Sequence, residues 1–264
     1  MRLIETNGIL THIHESGDPD GLPVVFANSL GTDLRVWDAL LPLLPAGLRL
    51  IRYDKRGHGL SDCPPPPYGM GELVDDAAAL LDALDVRDAV FVGLSIGGMI
   101  AQGLAAERPD LVRAIVLCDT AAKIGTEAMW EDRIAAVRTG GIVAIEGSIL
   151  ERWFSARFRR ENTAELAGWR HMLTRTPAAG YMGCSAAIAH TDLMESTARL
   201  RLPALAVVGA EDGSTPPDLV RETARLIPGC RFEVIPGAGH LPCVEQPAIL
   251  ARHIAAFLDT LPPV

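Results

Sequence analysis

Ser95, Asp212 and His240 are the residues whose types and settings point most directly to chemistry. Ser95 lies in Gly93-Leu94-Ser95-Ile96-Gly97, between the strand-like run Ala89-Val90-Phe91-Val92 and a helix-like stretch from Gly98 to Glu107. That is the strand, turn and helix context of a nucleophile elbow. The flanking glycines allow a sharp turn without Cβ clashes, presenting the serine Oγ at the head of a sheet and the next N–H at a helix N-terminus. A serine hydroxyl is a weak nucleophile until a base lies within reach and a third group holds that base. Of the seven histidines, His240 stands apart, because the strand-like Phe232-Glu233-Val234-Ile235 delivers it through the loop Pro236-Gly237-Ala238-Gly239. Asp212 likewise lies just past a strand-like run, Ala204 to Gly209, and before the helix-starting Thr215-Pro216-Pro217. Glu211 competes for the acid's role, as does Asp119, which ends the run Ile115-Val116-Leu117-Cys118.

Acyl transfer at Ser95 also needs preorganised N–H donors for a developing oxyanion. Ile96, directly after the nucleophile, supplies one. The other is expected from the loop after Val24-Val25-Phe26, which reads Ala27-Asn28-Ser29-Leu30-Gly31; it resembles the loop in which many hydrolases carry His-Gly where this chain has Asn28-Ser29, and that resemblance implies the donor at Leu30, with Asn28 and Ser29 bracing the turn.

The order Ser95, Asp212, His240 is that of the α/β-hydrolases. Asn28-Ser29-Leu30-Gly31, Asp54-Lys55-Arg56-Gly57-His58-Gly59-Leu60-Ser61, Gly93 to Gly98 and Gly239-His240 together resemble that superfamily over most of the chain. Within it the likeness is to 3-oxoadipate enol-lactonases, through the Asn-Ser-Leu-Gly-Thr loop followed by Trp37-Asp38, the segment Tyr53 to Gly59, and Gly-Leu-Ser-Ile-Gly-Gly around Ser95. The resemblance implies opening of a small carboxylated enol-lactone through an acyl-enzyme, in aromatic catabolism by the beta-ketoadipate pathway. It also implies a cation facing the pocket and makes the Arg56 and His58 loop a structural brace. Trp130 and Arg133, three apart on one predicted helix, could face the pocket mouth together; Arg138 or a later cap residue are alternatives for the cation.

The elements that must carry these residues are legible as an α/β fold, a mostly parallel eight-stranded sheet with helices on both faces and an inserted helical cap. Arg2 to Thr6 and Ile9 to His14 flank Asn7-Gly8, a strong hairpin signal. Strands near 24–27, 49–53, 89–94 and 113–117 alternate with helix-like stretches near 33–44, 71–84 and 98–107, the rhythm of a parallel sheet. Strands near 204–209 and 231–235 precede helices near 217–227 and 246–258. Between Thr120 and about His190 apolar residues recur at helical spacing, as in Trp130-x-x-x-Ile134-x-x-Val137 and Ile149-x-x-x-Trp153-Phe154. The chain therefore divides into a core of 1–119 and 191–264 and a cap of 120–190 that excludes water from the ester and sets substrate choice.

The 264 residues, 48% hydrophobic, suffice for one catalytic domain with room for this insertion. A net charge of −9 and the lack of a Lys/Arg cluster argue against a nucleic-acid partner. No run of about 18 apolar residues could span a bilayer, and Met1-Arg2-Leu3-Ile4-Glu5-Thr6 lacks a signal peptide's apolar segment. A cytoplasmic protein without membrane contact is expected, and a homo-oligomer is compatible with the sequence. The five cysteines are odd in number and lack metal-like spacing, so neither a disulfide framework nor a metal site is expected, and Cys118 and Cys243 read as packing near the strand ends. Gly97-Gly98 lacks the spacing of a phosphate-binding fingerprint, and no cofactor is expected.

Overall fold

Asn7 and Gly8 both take positive φ, 46° and 76°, as a two-residue hairpin turn requires, and so join β1 (Arg2–Thr6) to β2 (Ile9–Gly17). The computed structural model describes residues 1–262. β3 (Leu22–Ala27), β4 (Leu48–Tyr53), β5 (Ala89–Leu94), β6 (Val112–Cys118), β7 (Ala204–Gly209) and β8 (Arg231–Ile235) complete one sheet in the order β1-β2-β4-β3-β5-β6-β7-β8. β2 runs antiparallel to β1 and β4, and the remaining pairs are parallel. β5 and β7 are buried at every residue, the signature of strands covered on both faces by helices.

In chain order the helices begin with α1 (Met70–Ala83) and α2 (Ile96–Glu107), which pack together while α2 also covers β3, β5 and β6. Between β6 and β7 the chain leaves the sheet. There it builds α3 (Glu127–Gly140), α4 (Glu146–Trp153), α5 (Ala156–Glu161), α6 (Thr163–Arg175), α7 (Ala178–Ala189) and α8 (Met194–Ala198). α3 lies along α7, and α4 and α5 pack on α6, around an aromatic cluster in which Phe154 stacks on Phe158 at 4.6 Å and meets Trp153 and Trp169. α9 (Pro217–Leu226), the short α10 (Pro242–Glu245) and α11 (Pro247–Leu258) return to the core, α9 and α11 packing on β7 and β8. Among the described residues no helix is long and apolar enough to cross a membrane.

The helix expected near 33–44 is absent. Two short 3₁₀ turns, Leu34–Trp37 and Leu41–Leu43, stand in its place. Asp33 accepts the Arg35 N–H at 3.0 Å and tightens the first turn, and Leu44 is extended (ψ 157°) as the residue before Pro45 tends to be. Local hydrogen bonding and proline geometry outweigh the apolar spacing of this segment.

The strand order places the site. β3 has β4 on one side and β5 on the other, so the chain reverses its direction of travel across the sheet between them, and the loops after β3 and β5 diverge into a crevice at their C-terminal ends. The register sets Ala27 beside Gly93. The loop carrying Leu30 and the turn carrying Ser95 therefore start side by side.

Candidate active site

Ser95 sits between β5 and α2 with φ 57° and ψ −118°, a conformation that costs a non-glycine residue about 1–3 kcal/mol and persists only where its surroundings hold it. Four hydrogen bonds do so: its N–H donates to Cys118 O (2.9 Å), and its carbonyl accepts from Gly98 N (2.8 Å), Met99 N (3.3 Å) and Thr120 Oγ1 (2.6 Å). The neighbouring glycines are required by space. A Cβ on Gly93 would stand 2.2 Å from Gly97 O, and one on Gly97 would stand 2.1 Å from Ala27 O.

His240 and Asp212, twenty-eight residues apart, meet at the ends of β8 and β7. His240 Nδ1 lies 2.9 Å from Asp212 Oδ2 and 3.0 Å from Oδ1, with both side chains buried. Asp212 also accepts from Ser214 N (2.7 Å), Thr215 N (3.1 Å) and Thr215 Oγ1 (2.6 Å). Burial pushes its carboxyl up, but the His240 charge and these donated hydrogen bonds outweigh it and hold the group below the usual carboxylate range. With Nδ1 committed to Asp212, Nε2 is the nitrogen left to act as a base. Ser95 and His240 line the same cavity; among the described residues the hydroxyl makes no hydrogen bond to the imidazole, a contact that commonly tightens when substrate enters. Of the competing acids, Glu211 is exposed, and Asp119 accepts the Gly209 N–H (2.8 Å) rather than contacting His240.

Asp119, Asp212 and His240 are, among the described residues, the one set of acidic, cysteine or histidine side chains close enough to hold a metal ion. His240 Nδ1 and both Asp212 oxygens are already engaged in hydrogen bonds, so the set is arranged as a carboxylate and imidazole pair.

Ile96 is the first residue of α2 and so has no acceptor one turn earlier for its N–H. The loop that brings Leu30 to the same cavity is braced from beneath. Asn28 Nδ2 donates to Thr32 O (2.7 Å), Thr32 Oγ1 to Ser29 O (3.0 Å), and the buried Lys55 Nζ to Ser29 O (2.6 Å). His58 Nε2 accepts the Gly31 N–H (2.9 Å). Burial, reinforced by the Lys55 charge, keeps this imidazole well below its usual range, and it serves as a neutral acceptor.

The cavity holding Ser95 and His240 has a volume of about 300 Å³ and is walled by the cap through Trp130, Arg133, Ile149, Arg152, Trp153 and Tyr181. Trp130 donates its Nε1–H to Ile124 O (2.7 Å), fixing the ring over which the Arg133 guanidinium stacks at 4.5 Å. Arg138, by contrast, is exposed in the last turn of α3 and does not line the cavity. Elsewhere in the cap Lys123 pairs with Asp192 and Arg170 with Glu146; Arg133 and Arg152 have no carboxylate partner among the described residues.

Arg152 and Tyr181, with Ile124 and Met129, are cavity residues that sequence reasoning missed. Arg152 adjoins the apolar stripe of α4, but its placement comes from the end of that helix. Trp153 O accepts the His240 N–H (2.9 Å) and Arg152 O accepts from Gly213 N (3.4 Å). Glu245 ties the same corner down by accepting from Ser155 Oγ (2.6 Å) and Gly239 N (2.7 Å). The cap thus touches both loops that carry Asp212 and His240. A larger cavity of about 650 Å³, between α6 and the Asp33 to Leu34 loop, shares none of the residues lining the Ser95 cavity.

Held beside unpaired N–H donors and a carboxylate-oriented histidine, a strained serine can attack an ester or lactone carbonyl. A 3-oxoadipate enol-lactonase 2 of Acinetobacter baylyi is 33% identical over 242 residues, covering 92% of this chain and 90% of that protein. The crystal structure of the enol-lactonase from Burkholderia xenovorans LB400 superposes with a TM-score of 0.95 at 33% identity, covering 98% of this chain and 100% of that one. A thermophilic esterase from Thermogutta terrifontis, determined with malate bound, gives a TM-score of 0.92 at 29% identity over 98% of each chain. Residues 24–253 match the alpha/beta hydrolase family, and the chain belongs to it.

Proposed function

We propose that this protein is a cytoplasmic serine hydrolase that opens 3-oxoadipate enol-lactone to 3-oxoadipate in aromatic catabolism. One observation carries the reading: two guanidinium groups without acidic partners among the described residues, Arg133 and Arg152, line the same cavity as Ser95 and His240. In a chain of net charge −9, such a local excess of positive charge suits a small substrate bearing a carboxylate near its reacting carbonyl. The likeness to two enol-lactonases supports the choice of lactone.

In this reading Ser95 Oγ attacks the lactone carbonyl while His240 accepts its proton, oriented by Asp212. The N–H groups of Leu30 and Ile96 bind the oxyanion. Collapse breaks the ring C–O bond and leaves an acyl-enzyme. The departing enolate takes the proton held on His240, leaving the imidazole neutral, and the enol tautomerises to the ketone, so only a weak leaving-group acid is needed. His240 then deprotonates a water that attacks the acyl-enzyme and releases Ser95 and 3-oxoadipate. No step draws on a cofactor. Residues 120–190 act as a cap that excludes bulk water, with Trp130 and Arg133 contacting the substrate.

The test is loss of enol-lactone absorbance with wild type beside Ser95→Ala. Turnover in wild type that falls on the order of 10⁶-fold in the variant supports the proposal. Cleavage of a generic aryl ester without lactone opening would leave the hydrolase chemistry standing and favour a carboxylesterase, the reading to which the malate-bound esterase lends weight. Inactivity on both would point to a ligand-binding protein on this scaffold.

A further inference from the structure

Asp119 is a second carboxyl group at the site, and the proposed reaction gives it no role. It follows β6 in a left-handed conformation, φ 47°, and is wholly buried. Oδ1 accepts the Gly209 N–H at 2.8 Å, whereas Oδ2 is buried without a partner among the described residues. A carboxylate, Asp212, and an imidazole, His240, each offer an atom within 4.8 Å of one of its own. Two ionised carboxylates cannot both persist so close together in an apolar setting, and one of them stays protonated. Asp212, holding His240 and accepting from Ser214 and Thr215, is the one stabilised as an anion. Asp119 has a single donated hydrogen bond, and burial, with the Asp212 charge adding to it, pushes its carboxyl well above the usual range. A proton on Oδ2 would turn an orphaned acceptor into a donor.

We propose that Asp119 is a positioning residue, protonated on Oδ2 and donating a hydrogen bond to the Asp212 carboxylate. The bond fixes the acid that orients His240 and withdraws part of the charge that would otherwise stabilise the imidazolium. The proposal rests on the serine-hydrolase reading above. The other titratable groups around Asp119 are Glu245 and the thiols of Cys118 and Cys243, and burial keeps the two thiols protonated.

The experiment is the pH profile of kcat/KM on an aryl ester for wild type, Asp119→Asn and Asp119→Leu, with the infrared carbonyl band of a buried, protonated carboxylic acid. Asparagine tolerates the left-handed backbone, is uncharged and donates from Nδ2. Asp119→Asn should therefore keep its rate and acid limb while losing the infrared band present in wild type at neutral pH. Leucine removes the donor, so the acid limb should move to higher pH as Asp212 holds the imidazolium more firmly, with kcat down by about tenfold or more. An acid limb that moves to lower pH in Asp119→Asn means a negative charge was removed, and overturns the proposal. A wild type without the band also overturns it, as does a leucine variant equal to wild type in both rate and profile. If the leucine variant fails to fold, the asparagine profile and the infrared band still decide. Ester turnover that survives Ser95→Ala would instead sink the hydrolase reading, an outcome separate from any result at Asp119.

Discussion

Lys55 offers a test of how the oxyanion loop is held. Its ammonium is buried and donates to Ser29 O and Thr32 O, at 2.6 and 3.5 Å, one residue from the Leu30 N–H. Burial lowers its pKa from 10.5 to about 8, with the charges of Asp54 and Asp33 only partly opposing. That drop is worth about 3 kcal/mol. The unfolded lysine binds its proton below pH 10.5 and the folded one below about 8. Between those values the unfolded state holds more protons, so stability rises with pH. The cost of the buried charge is complete below pH 8 and gone above about 10.5. Lys55→Met lacks this term, so the stability of wild type relative to the variant should improve by about 3 kcal/mol between pH 7 and 10.5. Urea unfolding of both proteins at the two pH values, at constant ionic strength, measures it. Groups common to both proteins cancel in the difference, and a difference that stays flat across the window would refute the buried-cation argument. At pH 7 the exchange removes the desolvation cost but also hydrogen bonds to carbonyls worth about 1.5–3 kcal/mol, so the fold should survive. Catalysis should not escape so lightly. A loosened Ser29 to Thr32 turn should lower kcat about 10- to 100-fold.

Arg152→Gln and Arg133→Gln should each raise KM for the carboxylated lactone about tenfold or more while leaving a neutral aryl ester unaffected; equal effects on both substrates would remove the carboxylate role. Gly97→Ala puts a Cβ 2.1 Å from the Ala27 carbonyl oxygen. The elbow must then move off β3, and thermal unfolding should show a loss of about 1–3 kcal/mol alongside a kcat drop of about 100-fold. Glu245→Ala deprives Ser155 and Gly239 of their acceptor; a loss of about 1–3 kcal/mol in chemical denaturation, with a lower kcat from a less fixed His240, is the expected outcome.

Much of this protein can be read along the chain, because its signals are local. Gly93 answers to the backbone of its own turn, at Gly97 O, and Asn7-Gly8 to a single turn. Continuous apolar runs such as Ala89 to Leu94 mark buried strands whatever surrounds them. The segment 33–44 misled because its apolar spacing is helical while Asp33 and Pro45 act over shorter range. Arg152 was hidden for the opposite reason. Its place in the cavity depends on carbonyls at the end of α4 meeting the Gly213 and His240 N–H groups, more than sixty residues further on, and no periodicity encodes such a contact.

The sequence by itself determined the kind of fold and the order in which Ser95, Asp212 and His240 follow their strands, since turns and buried strands are set by neighbours in the chain. Tertiary structure decided which acid faces His240, which cations line the cavity and that Lys55 and His58 lie beneath the Ser29 to Thr32 loop. These depend on distances between segments far apart in sequence, which packing across the sheet sets.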